Sequence, residues 1–229
     1  DACNVGEREK AMETLSRYMG WTFDYISQML PCCVLTAAVF LALLPVRKKR
    51  LARLGLVSRP RREALLFLFV LFCGGLMALT LFPAGFWSAL MAGHLPPEGW
   101  FACRGSGMYL RITLLSELTE GGAWTWFMLL GNAVMFVPLG FFPALLWRRA
   151  RWWKSVLAAG GTSLFVELWQ RFIDRSSDIN DLILNTLGGL LGFGLYVLLS
   201  RLLPDWTGTC QVEEQYGRET GDSGLASGA

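Results

Sequence analysis

The chain has 229 residues, 53% of them hydrophobic, a mean hydropathy of +0.40 and a formal net charge of +3. That composition is too apolar for an ordinary soluble domain and points to the membrane. One histidine and six cysteines without ligand spacing exclude a multi-histidine metal centre, and neither a metal nor a cofactor is expected.

In chain order, residues 7–20 place Ala11, Met12, Leu15, Tyr18 and Met19 at helical spacing. This suggests an extracytoplasmic amphipathic segment over 1–24, lying on the outer membrane surface. Five apolar segments follow, at roughly 25–46, 64–82, 123–147, 152–173 and 181–203. Each approaches the ~20 residues that a helix needs to cross a bilayer. The expected fold class is all-α, a polytopic transmembrane helical bundle of about five spans.

Segment 47–62 between the first two spans carries eight Lys/Arg and no acid, and the link after the third adds Arg148, Arg149, Arg151 and Lys154. The positive-inside bias assigns both to the cytoplasm, with the N-terminus outside and the C-terminus cytoplasmic. The chain opens at Asp1, and removal of an upstream signal would agree with that orientation. Such membrane-flanking clusters set topology and touch anionic lipid, so no nucleic acid is expected as a partner.

These features divide the chain into 1–24, a first span with its basic loop (25–63), a membrane domain (64–203) with an outer loop at 83–122, and a tail (204–229). The tail is rich in Gly, Ser and acids and is expected to be disordered. In the outer loop, Leu110, Leu114, Leu115 and Leu118 fall near one face of a short helix or re-entrant piece. Cys3 and Cys103 both lie on the outer side and can pair there. Cys32, Cys33 and Cys73 read as small packing residues within spans, and Cys210 falls inside.

The polar residues of the spans converge in depth. Counting from Trp152-Trp153 at the inner interface, Glu167 sits ~21 Å up a ~30 Å core. Asn185 sits ~6 Å below the outer interface on the helix that returns. Thr80 ends the second span, and Asn132 lies about a third of the way down the third. Glu167, Gln170 and Arg171 share one helix face, as do Asp181, Asn185, Gly188 and Gly192. The Gly188/Gly192 pair is a close-packing motif, whose expected partner is the fourth span with Ala159, Gly160 and Ser163.

The candidate ligand-binding residues are therefore Thr80, Asn132, Glu167, Gln170, Arg171, Arg175, Asp178, Asp181 and Asn185, with Glu167 as candidate acid or base. Pro138, Gly140, Gly188 and Gly192 are expected to shape helices and their packing. Duller roles stay open: Asp178 and Asp181 as helix caps, Arg171 and Arg175 as surface residues, Asn132 as an interhelical hydrogen bond, and Glu167–Arg171 as a structural pair.

Together these residues resemble the VanZ-like family of bacterial membrane proteins. The resemblance runs through Thr80-Leu81-Phe82-Pro83, Asn132, Phe136-Val137-Pro138-Leu139-Gly140, Glu167-Leu168-Trp169-Gln170, Arg175, Asp178-Ile179-Asn180-Asp181 and Asn185-Thr186-Leu187-Gly188-Gly189 to Gly192. It covers about 80–200. It implies a multi-pass protein of the bacterial cytoplasmic membrane, in a family whose founding member is linked to resistance against the glycopeptide teicoplanin. It carries over no mechanism. The functions in competition are binding of a lipid-linked wall precursor, a glycopeptide or another amphiphile, an enzyme acting on an envelope lipid through Glu167, and a small transporter. Membrane lipids are the expected partners, and nothing in the chain sets an oligomeric state.

Overall fold

The computed structural model describes residues 2–83, 85–94, 108–109, 113–147, 151–170 and 177–214. The first helix, α1, runs unbroken from Ala2 to Arg53 through Pro31 and Pro45. The expected surface segment 1–24 is therefore continuous with the first span, and the boundary at 24 falls inside one helix. At its end Gly55 takes φ 65°, a conformation that favours glycine, and the chain turns into β1 (Leu56–Val57).

Helix α2 (Pro60–Leu81) starts with proline at its first position, where the missing N–H costs nothing. It stops at Phe82, whose extended backbone is what a following Pro83 favours. Beyond it lie α3 (Phe86–Met91), β2 (Met108–Tyr109) and α4 (Leu114–Glu120). Where a short helix or re-entrant piece is expected around Leu110–Leu118, the described residues form a two-residue strand and then the helix α4. Helix α5 (Ala123–Leu146) contains Pro138 and Pro143, and α6 (Trp152–Gln170) follows. β3 (Ser177–Asp178) leads directly into α7 (Ile179–Leu202), after which come α8 (Pro204–Gly208) and β4 (Glu213–Glu214).

Among the described residues, four helices are long and apolar enough to cross a membrane: α1 from Phe23, α2, α5 from Thr125, and α7. α6, the fourth expected span, is not among them. It has 19 residues, and Lys154, Ser155, Thr162, Ser163 and Glu167 dilute its apolar content. It nevertheless packs as the fifth member of the bundle.

Helix directions follow from the contacts. Gln28 of α1 donates to the carbonyl of Ala78 near the end of α2, and Thr36 lies against Gly74, so these two are antiparallel. Asn185 meets Ser163 while Gly189 meets Ala159 and Ser155, so α6 and α7 are antiparallel. Gly188 faces Ala133 and Gly192 faces Val137, so α5 and α7 run parallel. The close-packing glycines of α7 therefore meet α5, not the α6 partner expected from chain proximity. Gly189, between them, takes the α6 contact. Leu76, Phe136, Leu139 and Ala159 form the core where α2, α5 and α6 join.

One end of the bundle is basic. There Glu63 bonds to Arg47 and Ser58 and lies 3.7 Å from the guanidinium of Arg62, which is buried. Residues 204–214 fold back onto this end, contrary to the expected disorder: β4 pairs antiparallel with β1. Arg61 donates to Thr209 at 2.8 Å and lies over the Trp206 ring, 6.0 Å from its centroid. Cys210 is fully buried in this corner. Burial pushes its thiol pKa up, against smaller lowering contributions from Thr209 and Arg61. The thiolate is the nucleophile, so Cys210, with its raised pKa and no solvent exposure, is expected to alkylate at pH 8 more slowly than in the unfolded chain and faster as pH rises. Trp206→Ala, by undocking the segment, should restore most of that rate, as read by peptide mass spectrometry.

Candidate functional site

The opposite end of the bundle holds a cavity of about 420 Å³. It is built where α2 and α6 end and where α5 and α7 begin, with Tyr25 of α1 on its wall. α2 stops before Pro83, so the carbonyls of its last turn, those of Thr80 and Leu81 among them, need donors from outside the helix. α6 supplies them: Trp169 Nε1 donates to Leu81 at 2.8 Å, and Gln170 Nε2 to Thr80 at 3.5 Å. The Thr80-Leu81-Phe82-Pro83 and Glu167-Leu168-Trp169-Gln170 motifs are thus two halves of one clasp between helix ends.

Thr80, Asn132, Glu167, Gln170, Asp181 and Asn185 all line the cavity. Four helices bring these six together, and their separate depths along each helix converge on one hollow. Asp181, in the first turn of α7, accepts from Asn132 Nδ2 at 2.5 Å, tying α7 to α5. Asn185 Nδ2 donates to Ser163 Oγ at 2.9 Å, tying α7 to α6. Thr80 spends its hydroxyl on the carbonyl of Leu76. Glu167 is 4% exposed and Asn185 5%. Among the described residues Asn185 Oδ1, which is buried, has no hydrogen-bond partner, a condition that costs about 1–3 kcal/mol. Phe127, Met128, Met135 and Phe136 supply the apolar part of the wall.

Arg171 and Arg175 lie outside the described residues, as do the side chain of Asp178 and the Cys3–Cys103 pairing. The backbone of Asp178 forms β3, which pairs in parallel with β2 from the outer loop. Gly140 lies directly against Gly189, so it serves the α5–α7 approach. No cluster of His, Cys, Asp and Glu able to hold a metal occurs among the described residues.

Asn180 is a residue that the sequence reading missed. It is 1% exposed, and its amide bonds Thr113 Oγ1 at 2.7 Å and Glu117 at 3.2 Å while accepting from the Thr113 N–H at 3.3 Å. It fastens α4 to the start of α7 beside the cavity. Its one available signal was its place between Asp178 and Asp181.

A family model described as VanZ/LLP1 matches residues 69–200, more than half of the chain. The chain belongs to the VanZ/LLP1 family. Comparison with curated proteins and with solved structures returned no match. The VanZ/LLP1 match contains all six polar residues that line the cavity, and Asn180 and Ser163 with them. Helix α1 lies outside the match, and with it Tyr25, which lines the cavity.

Proposed function

We propose that this protein binds a lipid-linked or amphiphilic envelope ligand in the cavity, which faces outward from the bacterial cytoplasmic membrane. The observation that carries this reading is the cavity itself, which pairs a buried polar wall from α2, α5, α6 and α7 with an apolar wall of Phe and Met. A ligand with one polar end and one apolar end suits both walls. The orientation is supported by Arg47, Arg61 and Arg62 gathering at the other end of the bundle. Holding a wall precursor here is the route by which such a protein would alter susceptibility to a glycopeptide such as teicoplanin.

The test is equilibrium binding of a fluorescent lipid-linked wall precursor to the full chain in nanodiscs. Wild type is expected to bind it, and Glu167→Gln to weaken binding at least about tenfold, as replacing a buried carboxyl that meets the ligand does. Unsaturable partitioning, identical for both proteins, would refute the reading. Glu167, a buried carboxyl at a cavity wall, also supports a second reading as general acid or base. A mass change in the recovered ligand would favour it.

A further inference from the structure

The cavity has a closed side and an open side. Hydrogen bonds stitch most of its wall together. Trp169 and Gln170 join the end of α6 to the end of α2, Asn185 joins α7 to Ser163 of α6, and Asn132 joins α5 to Asp181 of α7. Gln28 holds α1 against α2. The remaining seam lies between α1 and α5, which both line the cavity yet pack little against each other. Burial follows the same division. Thr80, Val166, Glu167, Gln170 and Asn185, on α2, α6 and α7, are buried. The exposed lining residues are Tyr25 of α1 with Phe127, Met128 and Gly131 of α5.

Depth decides what this seam opens to. Tyr25 and Phe127 each lie ~3 Å inside the apolar spans that begin at Phe23 and Thr125, and Gly131 lies ~9 Å down α5. Side chains exposed at that depth meet lipid, and tyrosine is at home near the interface. A cavity filled from water needs a polar rim. This one turns aromatic and thioether side chains toward the bilayer and keeps its buried polar groups behind them. Gly131 stands in the seam with open space where a Cβ would be, so the threshold is unfilled.

We infer that the ligand enters sideways from the bilayer, head group first between α1 and α5, and that its apolar chain stays in this seam over Gly131 while bound. The inference rests on the cavity being a ligand site. It narrows the ligand to a membrane-borne amphiphile and sets aside a water-soluble glycopeptide. Because the chain occupies the seam in the complex, filling the seam lowers affinity as well as slowing entry.

The test measures binding of the lipid-linked wall precursor to the full chain in nanodiscs. Gly131→Trp puts an indole in the seam and should weaken binding at least about tenfold by clashing with the chain. Gly194→Trp is the control. Residue 194 is also exposed with open space around it, but it does not line the cavity, so binding should stay within about twofold of wild type. Gly131→Leu replaces Gly131→Trp if the latter melts early. Wild type is also photolabelled with precursor carrying a diazirine in the first methylenes of its chain. The labelling that unlabelled precursor competes away should fall on peptides holding Tyr25 and residues 127–135. The same head group cleaved from its lipid should bind at least about tenfold more weakly than the precursor.

Equal binding by the Gly131 and Gly194 variants, with Glu167→Gln still weakening it, would overturn sideways entry and leave the ligand site standing. Competable labelling centred on other helices would overturn it too, as would a chain-free head group that binds as tightly as the precursor. Absence of saturable binding by any of these probes would remove both readings.

Discussion

Gly140→Ala is expected to destabilise the bundle by about 3 kcal/mol, a large effect for one methyl group. A Cβ at residue 140 would overlap the carbonyl oxygen of Gly189 and sit 2.7 Å from its carbon. The obstacle is backbone, so no side-chain rotation relieves it, and α5 must withdraw from α7. Withdrawal also loosens the contacts of Gly188 with Ala133 and of Gly192 with Val137, where added methyl groups would lie 2.9 and 3.0 Å from carbonyl carbons. Such close approach maximises dispersion contact between helices where lipid offers no hydrophobic drive. Gly161→Ala and Gly194→Ala serve as controls, because a methyl at either position meets open space. They should be neutral, or stabilising by up to ~1 kcal/mol through helix propensity. Unfolding of the purified proteins in mixed micelles reads the difference. A Gly140→Ala curve that coincides with the Gly161→Ala curve would show that the α5–α7 contact is not tight.

The contrast between Gly140 and Gly161 also shows what a sequence can and cannot say about this fold. Apolar runs and helical spacing are local properties, so the helices and the shared depth of Glu167, Asn185 and Asn132 were legible. Which helix a glycine face meets is not local. Gly188 and Gly192 read as a face for α6 because a short link joins α6 to α7, yet the same face serves α5, whose Ala133 and Val137 lie far back along the chain. The fold-back of 204–214 was hidden for another reason. Its composition is polar, and its docking depends on two partners, Arg61 and Trp206, far apart in sequence and without periodicity. α6 shows a third limit. Two of the residues that lower its hydropathy, Glu167 and Gln170, line the cavity, so a polar wall and an easily read span compete within one helix.

Asn180→Leu is expected to free the α4 region from the bundle. Asn180 keeps one accepting and two donating bonds to Thr113 and Glu117, across 63 to 67 residues of sequence, while nearly devoid of solvent contact. Leucine has comparable bulk but no polar atoms, so the Thr113 N–H would lose its acceptor. The Thr113 hydroxyl and the Glu117 carboxylate would keep only their bond to each other, at 2.6 Å. Thr113 and Glu117 are half-buried, so each group stranded in this way costs at most about 1–3 kcal/mol. The cost falls on local opening, because the rest of the bundle does not depend on these atoms. Amide hydrogen exchange over residues 113–120 should therefore quicken by about 10- to 100-fold, while α5 beyond Leu129 and α7 beyond Leu184 change little. Ligand affinity should fall with it, since β2 pairs with β3 immediately before the α7 turn that carries Asp181. Uniformly faster exchange across all five helices would instead make Asn180 a support of the whole fold. Unchanged exchange at 113–120 would mean that α4 is held without it.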